Sequence, residues 1–595
     1  MILIRLFLCL VITIIFSQTT AAQNLVFRTK TTKNIPQNKA LTRAVKNHES
    51  SRKINKTYEL EITAGFLKNT KVNFQIGQLT YSATLIKKIT RGKNSFSWFG
   101  KTADGFGIFF TVNNGRISSK FSTDKYAYTL IPLSNDTHLL VEFKDTNIGV
   151  CGNEVVESIS KAAKSILQTG KLVDDDCTIR VLIATTPTAS MQIINAGFDI
   201  PTFAQLAIDE TNLAYITSQI DMIMELAVLL ETNYTEIPPN ANTGFQDDLN
   251  NFRNGTGDLA ITNQMRDSYQ TDIQILLRRN VNGFFGQAFN VPTENVPFNQ
   301  AEAYCTVTVE GVTIGRFSFP HEIGHLQGAR HDTHNDNPNY ARGFVSGNAN
   351  NSWRTIMATG NQVGCVLANG CRISAFSNPN INGPDGAPAG TIDRNNGRRI
   401  NETSAIIKNY REVPDNLNLL NENISSNQVS NHLADLNIST NNSTVIYQAN
   451  SSATMRSANS IVLQSGTHIQ NGANFRAYLV SNACENEPSS AKLQSHSYQT
   501  NRFLFNRRLE GNDLASGIIL SPNPTKEILN IEASNDNGII SCQVSNLGNL
   551  SLLWYINDNE HQSFELDFSS FPAGIYIIRF LMTDGTTVNK KVIKE

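Results

Sequence analysis

The chain has 595 residues, 40% of them hydrophobic, and its 50 basic and 51 acidic side chains leave a formal net charge of −1. Such a balance supplies no field for nucleic acid or an anionic membrane surface, so partners must be recognised at defined sites. The length exceeds what one hydrophobic core serves, which predicts three or more folded units joined by linkers.

At the N-terminus Arg5 precedes an apolar run, Leu6 to Phe16, and Thr20-Ala21-Ala22 supplies small residues for a signal peptidase. This predicts a signal peptide over residues 1–22 and an exported product, with a signal anchor as the alternative. The run is too short to span a bilayer and no later segment is apolar for long enough, so no transmembrane segment is expected. Removing the leader takes Cys9 with it and leaves seven of the eight cysteines. In an oxidising compartment an odd count leaves one cysteine outside any intramolecular disulfide. Cys365 and Cys371, close in a Gly- and Asn-containing loop, are the first candidate pair.

Residues 23–176 begin polar and basic and then alternate, as in Tyr58-Glu59-Leu60-Glu61-Ile62 and Gly107-Ile108-Phe109-Phe110-Thr111-Val112, which predicts a β-rich unit. An amphipathic helix is expected over Val155–Leu167. Asp174-Asp175-Asp176 could bind calcium but reads as solvated charge, so calcium stays open without support.

Residues 177–414 read as α/β. Ile179–Ala184 is an apolar strand, Thr202–Ile220 a helix and Ile223–Leu230 a strand; Met265–Leu277 reads as a helix, and Gly283–Phe289 and Tyr304–Val309 as strands leading to a helix near Phe317. That last helix carries His321-Glu322-Ile323-Gly324-His325-Leu326-Gln327-Gly328-Ala329-Arg330-His331-Asp332, which fits H-E-x-x-H-x-x-G-x-x-H at every fixed position. Residues four apart sit one above the other on a helix, so His321 and His325 can face one metal ion. Gly328 allows the chain to leave the helix and return with His331 as third ligand. Three ligands leave a position for a water, and Glu322 is placed to act on it as general base. His334 reads as a solvated loop histidine.

On this motif the chain resembles the metzincins, and Asp332 after the third histidine resembles the reprolysin (adamalysin) branch of bacterial type. The resemblance implies a twisted mixed sheet with an active-site helix, one catalytic zinc on His321, His325 and His331, and hydrolysis of protein or peptide substrates. It also implies a Met-turn, for which Trp353-Arg354-Thr355-Ile356-Met357-Ala358 offers Met357, ahead of Phe376-Ser377-Asn378-Pro379. Asp332 is assigned a structural role behind the ligands, since three histidines and a water complete the set. Phe285–Asn290 would be the edge strand that pairs with an extended substrate. A β-rich unit ahead of a protease reads as a prodomain (23–176), with a permanent binding domain as the alternative. Cys151, in Gly149-Val150-Cys151-Gly152, resembles the zymogen cysteine switch of reprolysin-like prodomains, and a disulfide to Cys177 accounts for it equally well.

Residues 415–444 are Asn- and Ser-rich with few large apolar groups and read as a linker. In 445–485, Leu463, Ile469 and Phe475 recur every six residues with Gly466 and Gly472 between them, suggesting a small β-solenoid-like or hairpin spacer, followed by a second linker over 486–517. Residues 518–595 alternate between Gly, Pro and Asn turns, predicting a β-sandwich. Leu520-Ser521-Pro522-Asn523-Pro524 and the closing Lys590-Lys591-Val592-Ile593-Lys594-Glu595 resemble the C-terminal sorting domain of the type IX secretion system of Bacteroidetes. That implies secretion machinery as a partner and a secreted or surface-attached product. The expectation is a multidomain secreted zinc endopeptidase made as a zymogen; the alternative is a surface adhesion protein with an inactive protease fold.

Overall fold

The computed structural model describes residues 25–29, 54–143, 150–151, 178–346, 353–359, 372–480 and 518–595, with breaks of at most five residues inside these spans. The expected signal peptide, the Val155–Leu167 helix, the acidic run at 174–176, Cys177, the Cys365–Cys371 pair and the 486–517 linker lie outside the described residues. Two compact units are present, Met1–His496 and Ser497–Glu595.

In the larger unit the alternating N-terminal segments form nine strands. These are β1 (Leu25–Thr29), β2 (Ile54–Ile62), β3 (Lys71–Ile76), β4 (Leu79–Gly92), β5 (Ser95–Thr102), β6 (Gly107–Asn113), β7 (Arg116–Ser122), β8 (Ala127–Pro132) and β9 (His138–Phe143). They close into a barrel in the order β1-β2-β9-β8-β7-β6-β5-β4-β3. Asn114 and Gly115, with φ of 51° and 85°, make the tight turn between β6 and β7, where two positive φ values match the strand twist. Side chains alternate between two apolar environments. Trp98, Ile108, Phe110, Leu130 and Leu140 fill the barrel, while Phe99, Phe109, Ile131, Leu139 and Val141 point outward into a core shared with residues 179–429. Both faces are apolar because both are covered.

The shared core lies beside a mixed sheet that runs β10-β14-β15-β13-β11-β12-β20-β23-β26. Its first part comprises β10 (Val150–Cys151), β11 (Thr178–Thr185), β12 (Ile223–Glu231), β13 (Ile273–Arg278), β14 (Phe284–Ala288) and β15 (Tyr304–Thr308). The helices between them are α1 (Pro187–Asn195), α2 (Ile200–Thr217), α3 (Gly244–Asn254) and α4 (Ala260–Ser268); α5 (Val309–Thr313), α6 (Ser318–Leu326) and α7 (Asn396–Ile407) follow. Strands β12, β11, β13 and β15 are parallel, and β14 runs antiparallel to β15. The helix expected over Met265–Leu277 is corrected: α4 ends at Ser268 and Ile273–Arg278 is a central strand. All six residues of that strand are buried, so its apolar run carries no alternation to distinguish it from a buried helix.

The linker expected over 415–444 is also corrected. Strands β18 (Asn416–Asn418), β19 (Asn423–Ile424), β20 (Val429–Ala434), β21 (Asn437–Ser439), β22 (Val445–Tyr447), β23 (Ser452–Ser457), β24 (Ser460–Val462), β25 (Thr467–Ile469) and β26 (Asn474–Leu479) stack as three parallel ladders, after the short hairpin of β16 (Asn378–Asn382) and β17 (Pro388–Ala389). The solenoid therefore starts near residue 416 rather than 445. Few apolar residues suffice because each coil stacks on the next: Leu419, Ile424 and Ile438 share a core with Val445, Tyr447 and Met455. The asparagines that suggested a linker occupy its corners, where Asn421, Asn427, Asn441 and Asn450 take positive φ. Nor is the module a detached spacer. Val429 and Ser430 of β20 pair with Leu229 and Val228 of β12, extending the central sheet.

The smaller unit, taken by itself, has two antiparallel sheets. One is formed by β27 (Ile518–Ser521), β28 (Ile528–Ala533) and β31 (Ser563–Asp567), the other by β29 (Ile539–Asn546), β30 (Leu552–His561), β32 (Gly574–Met582) and β33 (Thr587–Lys594). Leu529, Ile531, Val544, Tyr576, Ile578 and Phe580 form its core. Among the described residues no helix is long and apolar enough to cross a membrane, and Cys305 and Cys542 are buried thiols.

Candidate metal centre

Helix α6 carries His321, Glu322 and His325, all buried. One turn apart, the two imidazoles stand nearly perpendicular at 88°, with centroids 4.8 Å apart. The helix stops at Leu326, and Gly328 turns the chain with φ of 83°. A Cβ there would come within 2.7 Å of Arg399 Nε and 3.0 Å of the Pro292 carbonyl, so both its conformation and its crowding demand glycine. The chain returns with His331, whose Nε2 lies 3.0 Å from Nε2 of both His321 and His325.

The outer ring nitrogens show why the inner ones converge. His321 Nδ1 faces the Ile356 carbonyl at 2.9 Å and His325 Nδ1 faces the Ala329 carbonyl at 3.0 Å. A carbonyl only accepts, so Nδ1 carries the proton and each Nε2 presents a lone pair inward. Burial first, then neighbouring imidazoles and arginines, holds the three histidines well below their usual pKa and hence neutral. Three lone pairs aimed at one another repel unless a cation sits between them. Edges of about 3.3 Å between nitrogens are expected for tetrahedral bonds of about 2.0–2.1 Å, so the donor set fits a metal ion.

Cys151 completes the group. Its Sγ lies 3.5 Å from His325 Nε2, and the four donor atoms fall within 4.8 Å of one another. It arrives on β10, which pairs in parallel with the free edge of β14, Cys151 opposite Gly286. Phe285–Ala288 of the expected substrate-pairing strand thus has a segment of its own chain along it. The Glu322 carboxyl sits 3.9 Å from Cys151 Sγ. Burial pushes its pKa up to about 8, against the opposing pull of Cys151, Arg372 and the Ala288 backbone.

Met357 lies under the helix, fully buried. A Cβ on Gly324 would meet its Sδ at 2.7 Å and Phe376 Cε1 at 2.8 Å, so glycine in the helix allows this close approach. Asp332 is not among the converging donors. Its Oδ1 accepts from the Thr359 amide at 2.8 Å, and Arg394 donates to its carbonyl at 2.9 Å, tying the third-histidine loop to the chain after Met357. His334 also stands outside the group, its ring 5.2 Å from that of His331.

Two contributors were not among the sequence candidates. Gly286 faces Glu322: a Cβ there would fall 2.5 Å from Glu322 Cγ. A glycine inside a predicted strand is itself a sign of close approach, and was the available clue. Arg372 donates to the carbonyls of Arg316 and Ala358 at 3.0 and 3.3 Å and places positive charge beside His321 and Glu322. No spacing rule connects it to the motif.

Comparison with protein families matches residues 175–377 to Metallo-peptidase family M12 and residues 520–595 to a Secretion system C-terminal sorting domain. The Peptidyl-Asp metalloendopeptidase of Stenotrophomonas maltophilia strain K279a is 30% identical over 327 residues, 52% of this chain and 72% of that protein. Its counterpart in strain R551-3 is 29% identical over 332 residues with the same coverage. That of Xanthomonas campestris pv. campestris is 33% identical over 229 residues, 38% of this chain and 49% of the relative. The histidine cluster lies inside the matched span, and the sorting domain supports secretion or surface attachment. The chain therefore belongs to Metallo-peptidase family M12, as a metzincin-like metalloendopeptidase with a catalytic metal and a type IX secretion sorting tail.

Proposed function

We propose that the protein is a secreted zinc endopeptidase made in latent form, with His321, His325 and His331 as zinc ligands and Glu322 as general base. The observation that carries this reading is the convergence of three buried Nε2 atoms, with Nδ1 of His321 and of His325 each facing a carbonyl. Zinc bound there would supply a Lewis acid for the scissile carbonyl and acidify a water. Glu322, held in a buried pocket under Gly286, takes the proton from the attacking water and passes it to the leaving amine. Met357 supports the helix from below, and Asp332 holds the third-histidine loop through Thr359.

In the latent form Cys151 takes the fourth ligand position, and β10 lies along β14 where an extended substrate would pair. Residues 23–176 are then the prodomain, 177–414 the protease region, and 518–595 a sorting sandwich. Residues 1–22 act as the signal peptide, and N-terminal sequencing of the exported product should begin at Gln23. The relatives named as peptidyl-Asp metalloendopeptidases, together with Arg372 beside the reacting groups, favour peptide bonds next to aspartate. A peptide-library profile without aspartate enrichment overturns that preference.

The central test is metal analysis with peptide hydrolysis. Processed protein should hold one zinc and lose activity to a chelator, and Glu322→Ala should keep the zinc and lose activity. Activity retained in Glu322→Ala rejects the mechanism. Cys151→Ala should be active before processing; a disulfide at Cys151 in the unprocessed protein rejects the latch.

A further inference from the structure

We propose that the β-barrel of residues 25–143 is a lasting subunit of the mature enzyme. When the chain is cut between Phe143 and Thr178, the barrel stays bound to α2 without a covalent link. That such a cut occurs rests on the latent-form reading above; the docking itself does not.

Helix α2 has no solvent face from Ile200 to Tyr215. A helix buried all round needs a cover on every side. Here β12, α6 and α1 supply part of it, and β6 and β7 of the barrel another part. The barrel side chains Phe99, Phe109, Ile131, Leu139 and Val141 belong to one continuous core with Phe203, Leu206 and Leu213 of α2. Each aromatic or aliphatic side chain buried in this way favours association by roughly 10- to 100-fold. Several together outweigh the cost of holding two bodies as one and place the dissociation constant on the order of nanomolar or below.

Charge sets the register of the same face. Three acids on the helix and its cap meet three bases on the barrel. Asp199, whose Oδ1 caps α2 through the Thr202 amide at 2.9 Å, takes Arg116 Nη1 on Oδ2 at 2.6 Å. Asp209, wholly buried, accepts from Ser97 and from Thr111 at 2.6 Å, and lies 3.6 Å from Arg91. Glu210 Oε1 lies 2.8 Å from Lys120 Nζ, with side-chain exposures of 0% and 3%. Such a buried pair adds little net affinity, but either partner left alone in the interface is heavily penalised. A cover meant to fall away would not share a core with the helix and bury a matched charge pair such as Lys120–Glu210.

The barrel also reaches the neighbouring parts of the unit. Thr129 Oγ1 donates to the Thr313 carbonyl at 2.8 Å, just before the metal-site helix, and Asn114 accepts from Asn474 of the solenoid at 2.7 Å.

The test inserts a specific-protease site between residues 160 and 170 of the full chain, cuts it, and runs size-exclusion chromatography near 100 nM with gel analysis of the peak. Co-elution of both fragments is expected. Lys120→Ala should weaken retention about a hundredfold or more, because Glu210 is then buried without its partner, while Lys120→Met combined with Glu210→Leu should restore it. Separation of the barrel from a folded, metal-binding C-terminal fragment overturns the proposal. Co-elution without peptidase activity in Cys151→Ala supports barrel retention and rejects the endopeptidase reading, so the two failures are distinct.

Discussion

Gly286 offers the sharpest test of how the site is built. Alanine there would place a methyl carbon 2.5 Å from Glu322 Cγ and 2.6 Å from its Oε1. Carbon contacts become comfortable at about 3.5–4.0 Å, so one group must retreat by roughly 1 Å. Strand β14 is poorly placed to yield, because Gly286 pairs with Val307 of the buried strand β15. The clash involves Cγ rather than only the far end of the side chain, so the carboxylate moves as a whole. A misplacement of about 1 Å costs about 100-fold in rate, or about 2.7 kcal/mol in the barrier. The assay is kcat/KM of processed Gly286→Ala on a peptide substrate, alongside metal content and thermal stability. The expected result is a loss of about 100-fold with metal content unchanged, since no histidine is touched. A metal-loaded variant within about threefold of the parent would refute the argument that Gly286 makes room for Glu322.

Three further outcomes are expected. Cys151 lies only eight residues beyond the end of β9 at Phe143, so a barrel that stays docked keeps it near the histidines after a cut between residues 160 and 170. That single cut should leave peptidase activity low, and a second cut between residues 144 and 149 should release it; full activity after the first alone argues against the tethered latch. Burial lowers the pKa of His138 to about 4, so the unfolded chain takes up the proton first as pH falls from 6.5 towards 4. The barrel should lose about 3 kcal/mol across that window, and His138→Leu should flatten the decline in urea midpoints between pH 7 and pH 4.5. Met357→Ala should open a cavity beneath α6, costing about 2–5 kcal/mol and weakening metal retention in competition with a chelator; a variant as stable as the parent contradicts the packing role.

The metal-site motif was legible because its geometry is local. His321, His325 and His331 lie within one helix and one turn, so residue spacing and a glycine with positive φ suffice to bring their Nε2 atoms together. The two misread segments show where local pattern stops being informative. Ile273–Arg278 is buried on both faces and carries no period, and the Asn-rich 416–444 segment becomes ordered only because later coils stack on it. The amino-acid sequence by itself pointed to the histidine donors and determined the reaction class. Only the tertiary structure decided that Cys151 meets a histidine 174 positions away, that Gly286 makes room for Glu322, and that the barrel shares its core with α2. Those contacts depend on which surfaces bury each other, and burial between distant segments leaves no periodic trace along the chain.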